Sequence, residues 1–320
     1  MDDAKHRLWR NSPADAILLA LTLLQFAGTI TLAAVTPHRP WPMIGSALVV
    51  TAMVTYSVIV VSHLFVHQPW FADARLNAIL SLIGSANIAQ SVQAYHLTHV
   101  RNHHRYNNDR KHDGVTDDLT STFRFSRDDG HAPLPRYLAY SLVGSIQEFA
   151  GTVFSLTRLC AVGPGEKVLR GLAARQPQRR AAELAQVRFD RLAQLAFTAG
   201  LAVIDWRWAL MCYLPAVAVA FTLVNIQNYY RHYGACPESR YGNSVSHYGR
   251  LYNRLTFNDG YHQEHHLRPT THWRRMPEVA AQLQQQLDDA GRVVSPVPAM
   301  LGFLDTGRAA ERPPAEVPVD

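Results

Sequence analysis

Cysteine is scarce in this chain of 320 residues: Cys160, Cys212 and Cys236 are an odd number with no Cys-x-x-Cys spacing. This argues against a disulfide framework, a zinc–thiolate site and thiol redox chemistry. Also missing are an internal repeat, a Gly-rich phosphate loop, a cytochrome-like haem segment and a flavin or nicotinamide fingerprint. Charge is absent over two long stretches, Ala16 to Pro37 and Pro40 to Ala72, which contain no Lys, Arg, Asp or Glu. Each is long enough for a membrane span of ~20 residues. Elsewhere charge is dense, as in Arg175-Gln-Pro-Gln-Arg-Arg180. The sequence is therefore part bilayer and part water-facing, which excludes a disordered or fibrous chain.

The first apolar run is too long for a signal-peptide core and lacks a small-residue cleavage pattern, so it reads as a retained span. Spans are expected at about 16–36 and 43–67, separated by the helix breakers Pro37-His-Arg-Pro40. A helix from Met43 to His67 would be ~37 Å long against a hydrocarbon core of ~30 Å, so its last turns must emerge from lipid. A second hairpin is expected at about 186–204 and 208–230 around the polar tip Asp205-Trp-Arg-Trp208. Its first arm extends backward through Ala182 to Arg191, with the arginines snorkelling to the interface. Only Arg39 and Arg207 among the basic residues fall in the two short reversals. The positive-inside bias then places the termini and the central segment in the cytoplasm, at a bacterial-type inner membrane or its equivalent.

The expected fold is all-α and integral to the membrane: four transmembrane helices in two hairpins, with a cytoplasmic helical cap formed by 68–185 and 231–304. Residues 1–304 form one domain and 305–320 a disordered tail. Ala78–Tyr95 and Tyr137–Cys160, apolar but broken by polar residues, read as interfacial or re-entrant helices. Pro277–Gly291 reads as an amphipathic surface helix. The basic stretch Lys167–Arg191 is a solvated helix touching anionic headgroups or a dock for an acidic electron carrier. No nucleic-acid role is expected.

Sixteen histidines are unusual less in number than in position. Four groups stand out: His63-x3-His67, His96-x2-His99-x3-His103-His104, Asn228-Tyr-Tyr-Arg-His232, and His262-x2-His265-His266. Each follows a span, so topology gathers them at one membrane level. Residues four apart share a helix face, so His63/His67 and His99/His103 can each pinch one ion or two neighbouring ions. Nine imidazoles (His63, His67, His99, His103, His104, His232, His262, His265 and His266) are too many for one tetrahedral zinc. Two six-coordinate ions would use them and leave positions open. All-nitrogen ligation suits iron, zinc, copper or nickel. Asn228 stands one helical turn before His232, where its amide could hold a metal-bound water. His96 is a supporting residue or an alternative ligand, and Asp259 and Glu264 could orient imidazoles through the second ring nitrogen. Asp109, Asp113, Asp117 and Asp118 follow the second group with the same potential. His112, His131, His247 and His272 lack paired spacing, and His6 and His38 lie elsewhere on the chain.

At these boxes the sequence resembles the integral-membrane fatty acid desaturase and hydroxylase superfamily. His63-x3-His67 looks like the first box, and His262-x2-His265-His266 within Asn258–Pro269 looks like the third. The middle box, His99-x3-His103-His104, departs from the common desaturase H-x2-HH. Asn228-Tyr-Tyr-Arg-His-Tyr-Gly234 resembles the NYxEHYG segment of alkane monooxygenases, with Arg231 where their Glu stands. The resemblance implies two non-haem irons, O2 as co-substrate, and oxidation of a fatty acid or fatty acyl chain, first of all as a desaturase. Hydroxylation of an alkane or fatty acid, and oxidative decarboxylation to a terminal alkene, remain open. Electrons would come from a separate ferredoxin, rubredoxin or cytochrome with its reductase. Arg101, Arg105, Arg124, Arg127 and Arg268 are candidate head-group clamps. The rival from another class is a metal transporter, whose ligands belong near mid-bilayer rather than at span ends.

Overall fold

The structure, a computed structural model, describes residues 8–157 and 164–308. It is mostly helical and divides into two compact units, Met1–Thr98 with Gly144–Phe221, and His99–Val143 with Thr222–Asp320.

In the first unit, α1 (Ala16–Val35) follows a short turn started by Ser12, whose hydroxyl accepts from the Ala14 amide at 3.2 Å. The next helix, α2, runs Pro40–His67. It starts three residues before the expected Met43, because proline lacks only an amide that the first helical turn leaves unpaired in any case. Six residues of α2, Ser57–Ser62, form a π segment immediately before His63. Leu24, Trp41 and Leu48 stand well exposed on these helices, as lipid-facing side chains do.

Helix α3 (Ala74–Ile88), capped by the Asp73 carboxylate, stops where Ala89 turns left-handed at φ 51°. Helix α4 (Val92–Thr98) then leads into the second histidine box. Expected as interfacial, Ala78–Tyr95 is thus two helices joined by a tight break. Helix α5 (Leu134–Thr157) takes up most of the other interfacial stretch, and Cys160 lies outside the described residues.

Helix α6 (Pro164–Ala174) turns into α7 (Pro177–Trp208), which begins well before the expected residue 186. Several of its polar residues, Glu183, Asp190, Arg191 and Gln194, are buried rather than solvated. Asp190, fully buried, accepts from Ser81 and Ser91 hydroxyls, the Gln93 amide and Gln186 at 2.8–3.0 Å. One turn on, Gln194 donates to the Ala89 carbonyl at 2.7 Å. The pair holds the α3–α4 break. Arg191, expected to snorkel, is instead 6% exposed and paired to Glu166 at 2.9 Å.

At Asp205 the backbone leaves the helical region (φ −155°, ψ 99°). A π segment, Ala209–Tyr213, and α8 (Leu214–His232) follow. The Phe197 and Tyr213 rings stand 6.4 Å apart, whereas sixteen residues of straight helix would separate them by ~24 Å. The chain therefore folds back at the expected tip. There His38 pairs with Asp205, and the Trp208 indole donates to Ser46 at 2.8 Å. Among the described residues three stretches are long and apolar enough to cross a membrane: Pro13–Val35, Pro40–His67 and Pro177–His232, the last containing the Asp205 break.

The second unit has little regular structure. Its short helices are α9 (Arg250–Leu255), α10 (His262–Leu267), α11 (Met276–Gln282) and α12 (Gln284–Asp289). A two-stranded parallel ladder pairs β1 (Val245–Ser246) with β2 (Val293–Val294). The surface helix expected over Pro277–Gly291 is thus two helices meeting at Leu283, stopped by Gly291 at φ 63°. Ala132, Tyr137 and Tyr229 form a buried aromatic core with Phe125, Tyr230 and Tyr233 around it. Of the expected tail, residues 305–308 are held, Arg308 pairing with Asp305 and donating to the Tyr230 carbonyl at 2.8 Å. Residues 309–320 lie outside the described residues.

Candidate metal centre

The second box sits on a helix that changes pitch. After α4, His99–His103 form a π segment, and a last α turn, His104–Tyr106, ends at Asn107 and Asn108, both left-handed at φ 50° and 63°. In an α-helix residues five apart diverge, but the i→i+5 repeat of a π segment brings them together. Accordingly His99 Nε2 and His104 Nε2 lie 3.2 Å apart, and His265 Nε2 is 3.1 Å from His104 Nε2. The expected i,i+4 pairing of His99 with His103 survives as ring stacking at 5.2 Å. The adjacent ring, His103, joins a different set.

That set is His103, His232, His262 and His266, whose candidate ligand atoms all lie within 4.8 Å of one another. They come from the second box, the end of α8 and helix α10. Ring centroids are separated by 4.9 Å for His103–His232, 5.0 Å for His103–His266 and 4.5 Å for His262–His266. The two groups adjoin, His104 and His266 rings standing 4.6 Å apart. In the first unit, His63 and His67 lie edge to face at 5.0 Å, with His63 buried.

The outer ring nitrogens are anchored. His103 Nδ1 meets the Asp118 carboxylate at 2.8 Å, His266 Nδ1 the Asn107 side-chain oxygen at 2.8 Å, and His232 Nδ1 the Asn243 carbonyl at 3.2 Å. Donation through Nδ1 leaves Nε2 as a bare lone pair on each ring. For His103 and His266 that Nε2 is buried with no hydrogen-bond partner. An unmet buried acceptor costs about 1–3 kcal/mol, which coordination of a cation would remove. The donor set therefore fits a metal, and it fits best as two adjacent sites.

Electrostatics agree. Burial, reinforced by Arg231 and neighbouring imidazoles, holds His262 well below the usual histidine range, and burial with His104 and His103 does the same for His266. Both stay neutral, the form that binds metals. Burial alone would raise the Asp118 pKa, but the adjoining His103 ring and its Nδ1 hydrogen bond, with the Thr120 and Asn108 amides, hold it well below the usual carboxylate range.

Sequence reasoning named Asp118 among four acids able to orient an imidazole and left two supports unnamed, Asn107 and Asn243. Neither asparagine carried a signal in the box spacing. The carboxylates named from the third box have other work. Glu264 accepts from Tyr248 at 2.6 Å and Ser246 at 2.9 Å, while Asp259 pairs with Arg231 and accepts from Tyr252 at 2.9 Å and Gln227 at 3.2 Å. Arg231 thus ties the His232 turn to the loop before His262. The Asn228 amide donates to Tyr137 at 2.8 Å and to the Thr120 carbonyl at 3.1 Å. In the first unit His96 Nδ1 meets the Val66 carbonyl at 2.8 Å, a supporting contact to the first-box helix.

Among the arginines named as clamps, Arg105 and Arg127 are exposed, Arg101 is half-buried, Arg124 donates to the Leu119 carbonyl at 2.8 Å and Arg268 to Gln282 at 2.9 Å. His131, without paired spacing, meets Thr122 at 2.7 Å and accepts from the Gly234 amide at 3.2 Å, joining two loops. The family model described as fatty acid desaturase matches residues 39–298, well over half of the chain. No curated protein matches it.

Proposed function

The chain belongs to the fatty acid desaturase family, and on that premise we propose that it is a membrane-bound, O2-dependent diiron oxidase that desaturates a fatty acid or fatty acyl chain. The supporting observation is the pair of buried, partnerless nitrogens, His103 Nε2 and His266 Nε2, in a four-histidine group beside a second histidine group. In this reading His103, His232, His262 and His266 hold one iron. His99, His104 and His265 hold the other, and His63 and His67 are assigned to the same centre from their spacing and place in the family pattern.

Iron would supply what no side-chain acid or base can, activation of O2 and removal of hydrogen from an unactivated C–H bond. The protein supplies position. Asp118, Asn107 and Asn243 fix the tautomer and tilt of three rings, and the buried Arg231–Asp259 pair sets how His232 approaches His262. Four spans, with Pro177–His232 counted as two arms of a hairpin, give the acyl chain an apolar path. Arg101, Arg105, Arg124, Arg127 and Arg268 are the candidate basic residues for its head group. Electrons arrive from a separate ferredoxin, rubredoxin or cytochrome on the cytoplasmic side, where the positive-inside bias puts the histidines.

Hydroxylation is the second reading, favoured by the His99-x3-His103-His104 box and the Asn228–Gly234 segment. The test is metal analysis of the purified protein with product analysis from fatty acid, acyl-thioester and alkane feeds under O2 and reductant. About two irons per chain and an internal alkene support the desaturase. An alcohol, or a terminal alkene with CO2, would replace it by hydroxylation or decarboxylation. One zinc per chain with no O2 consumption would reject the oxidase in favour of metal transport.

A further inference from the structure

The corner between α6 and α7 carries charge of one sign. From Gly165 to Phe189 every cation, namely Lys167, Arg170, Arg175, Arg179, Arg180 and Arg188, is exposed. Only two acids, Glu166 and Glu183, share the stretch with these six cations. Glu183 is 8% exposed, and Glu166 is half-buried between Arg191 and Arg170. Helix α6 turns Leu169, Leu172 and Ala173 inward, which leaves its cations outside. The exposed charge of this corner is therefore mostly positive.

Height decides what those bases meet. Along α7 the outward side chains become apolar at Phe189 and Leu192, 56% and 43% exposed, and continue so to Val203 at 87%. Counted back from the Asp205 break at 1.5 Å per residue, Arg188 lies ~26 Å along the helix and Arg180 ~38 Å. A bilayer has a hydrocarbon core of ~30 Å and measures ~40–45 Å with its headgroups. Arg179, Arg180 and Arg188 therefore bracket the headgroup layer, with Phe189 at its inner edge where aromatic side chains anchor. A soluble acidic carrier would need this corner clear of the bilayer. The apolar belt starting one residue after Arg188 puts it at the lipid instead.

We propose that the α6–α7 corner is a docking surface for anionic phospholipid, whose headgroup phosphates bind Arg175, Arg179, Arg180 and Arg188 with Lys167 and Arg170 at the edge. Each arginine at an anionic surface contributes about fivefold in affinity at low salt, and the attraction weakens as ionic strength rises. Lipid retention needs neither iron nor turnover, so it stands or falls separately from the oxidase reading.

The test uses the full chain in bilayers of equal phosphatidylglycerol and phosphatidylcholine. The protein is extracted with mild detergent at low and high salt, and the lipids that stay with it are counted by mass spectrometry. The wild type is expected to retain phosphatidylglycerol preferentially, less so at high salt. Arg175→Gln with Arg179→Gln and Arg180→Gln should lower the preference by about fivefold per residue, and the corresponding three lysine substitutions should keep it. Equal retention of both lipids by the wild type would overturn the proposal, as would undiminished preference in the glutamine variant. If that variant does not fold, the wild type's salt dependence and the lysine variant decide the matter. Binding of an acidic ferredoxin-class protein, abolished by the glutamine substitutions while lipid retention stays unchanged, would assign the corner to a protein partner and equally overturn it.

Discussion

Replacing Asp118 by Asn keeps the side-chain shape and removes one acceptor. Oδ2 receives His103 Nδ1 and the Asn108 amide, each at 2.8 Å, and Oδ1 receives the Thr120 amide at 2.8 Å and its hydroxyl at 2.9 Å. An amide has a single oxygen, so either orientation sets an NH2 group against two donors. Turned toward His103, it forces the ring to accept at Nδ1 and carry its proton on Nε2, which removes the lone pair that faces the other imidazoles. Turned toward Thr120, it leaves the part-buried Thr120 N–H without its acceptor, at about 1 kcal/mol. The charge opposite His103 is lost in both cases.

Loss of such an outer contact typically weakens metal binding about 10–100-fold, and the protein should be destabilised by roughly 2–4 kcal/mol once two donors are mismatched. Competition for iron against a graded chelator, with denaturant unfolding of the same samples, measures both quantities. Asp117→Asn is the control: Asp117 is exposed, so both quantities should stay within about 0.5 kcal/mol of wild type. A folded Asp118→Asn protein holding iron as tightly as the wild type would refute the assignment of His103 as a ligand oriented by Asp118.

Other outcomes follow from the same geometry. Arg231→Met strands the Asp259 carboxylate, whose side chain is 1% exposed, and should cost about 3–5 kcal/mol in a denaturant titration; adding Asp259→Asn should recover part of that, and no recovery would mean the pair is not the cause. His265→Ala should lose much of the iron and the activity while His6→Ala changes neither, and equal losses would mean the histidines are sorted wrongly. His131 gives a pH prediction. Burial, aided by the charge of Arg110, lowers its pKa from 6.5 to about 3, so the folded protein keeps it neutral while the unfolded chain protonates below 6.5. Its stabilising contribution is full above that pH and is lost as pH falls toward 3, by about 2 kcal/mol at pH 5. Stability curves of wild type and His131→Gln should converge over this window, and parallel curves would contradict the mechanism.

The spans were legible because charge-free runs and helix breakers are local signals. Pro40 starts α2, and Asp205 breaks the long C-terminal stretch where a polar tip interrupts apolar sequence. The start of α7 was not legible, for a tertiary reason. Hydropathy treats Asp190 and Arg191 as residues that must reach water, yet both are buried, because Ser81, Ser91 and Gln93 serve one and Glu166 the other. Those partners lie up to 109 residues away, and no window along the chain contains them.

At the histidines, the spacing singles out rings that the structure gathers into groups, but not how they divide. Box spacing finds the imidazoles, but division into sets depends on pitch, and nothing in His99-Val-Arg-Asn-His103 announces a π segment that sends His104 toward His99 and His103 elsewhere. The choice of Asp118 among the four following acids is likewise made by backbone. Asn107 and Asn108 turn left-handed, a conformation asparagine tolerates better than most residues. That reversal puts the Asn108 amide on Asp118 and the Asn107 side-chain oxygen on His266. Asp109 then accepts from the amides of Asp117 and Asp118 at 2.8 and 2.9 Å, closing the loop beneath His103. The two asparagines therefore determine which carboxylate supports His103, and two rings of the same four-histidine group acquire different surroundings: His103 rests on a buried anion, and His266 on a neutral amide.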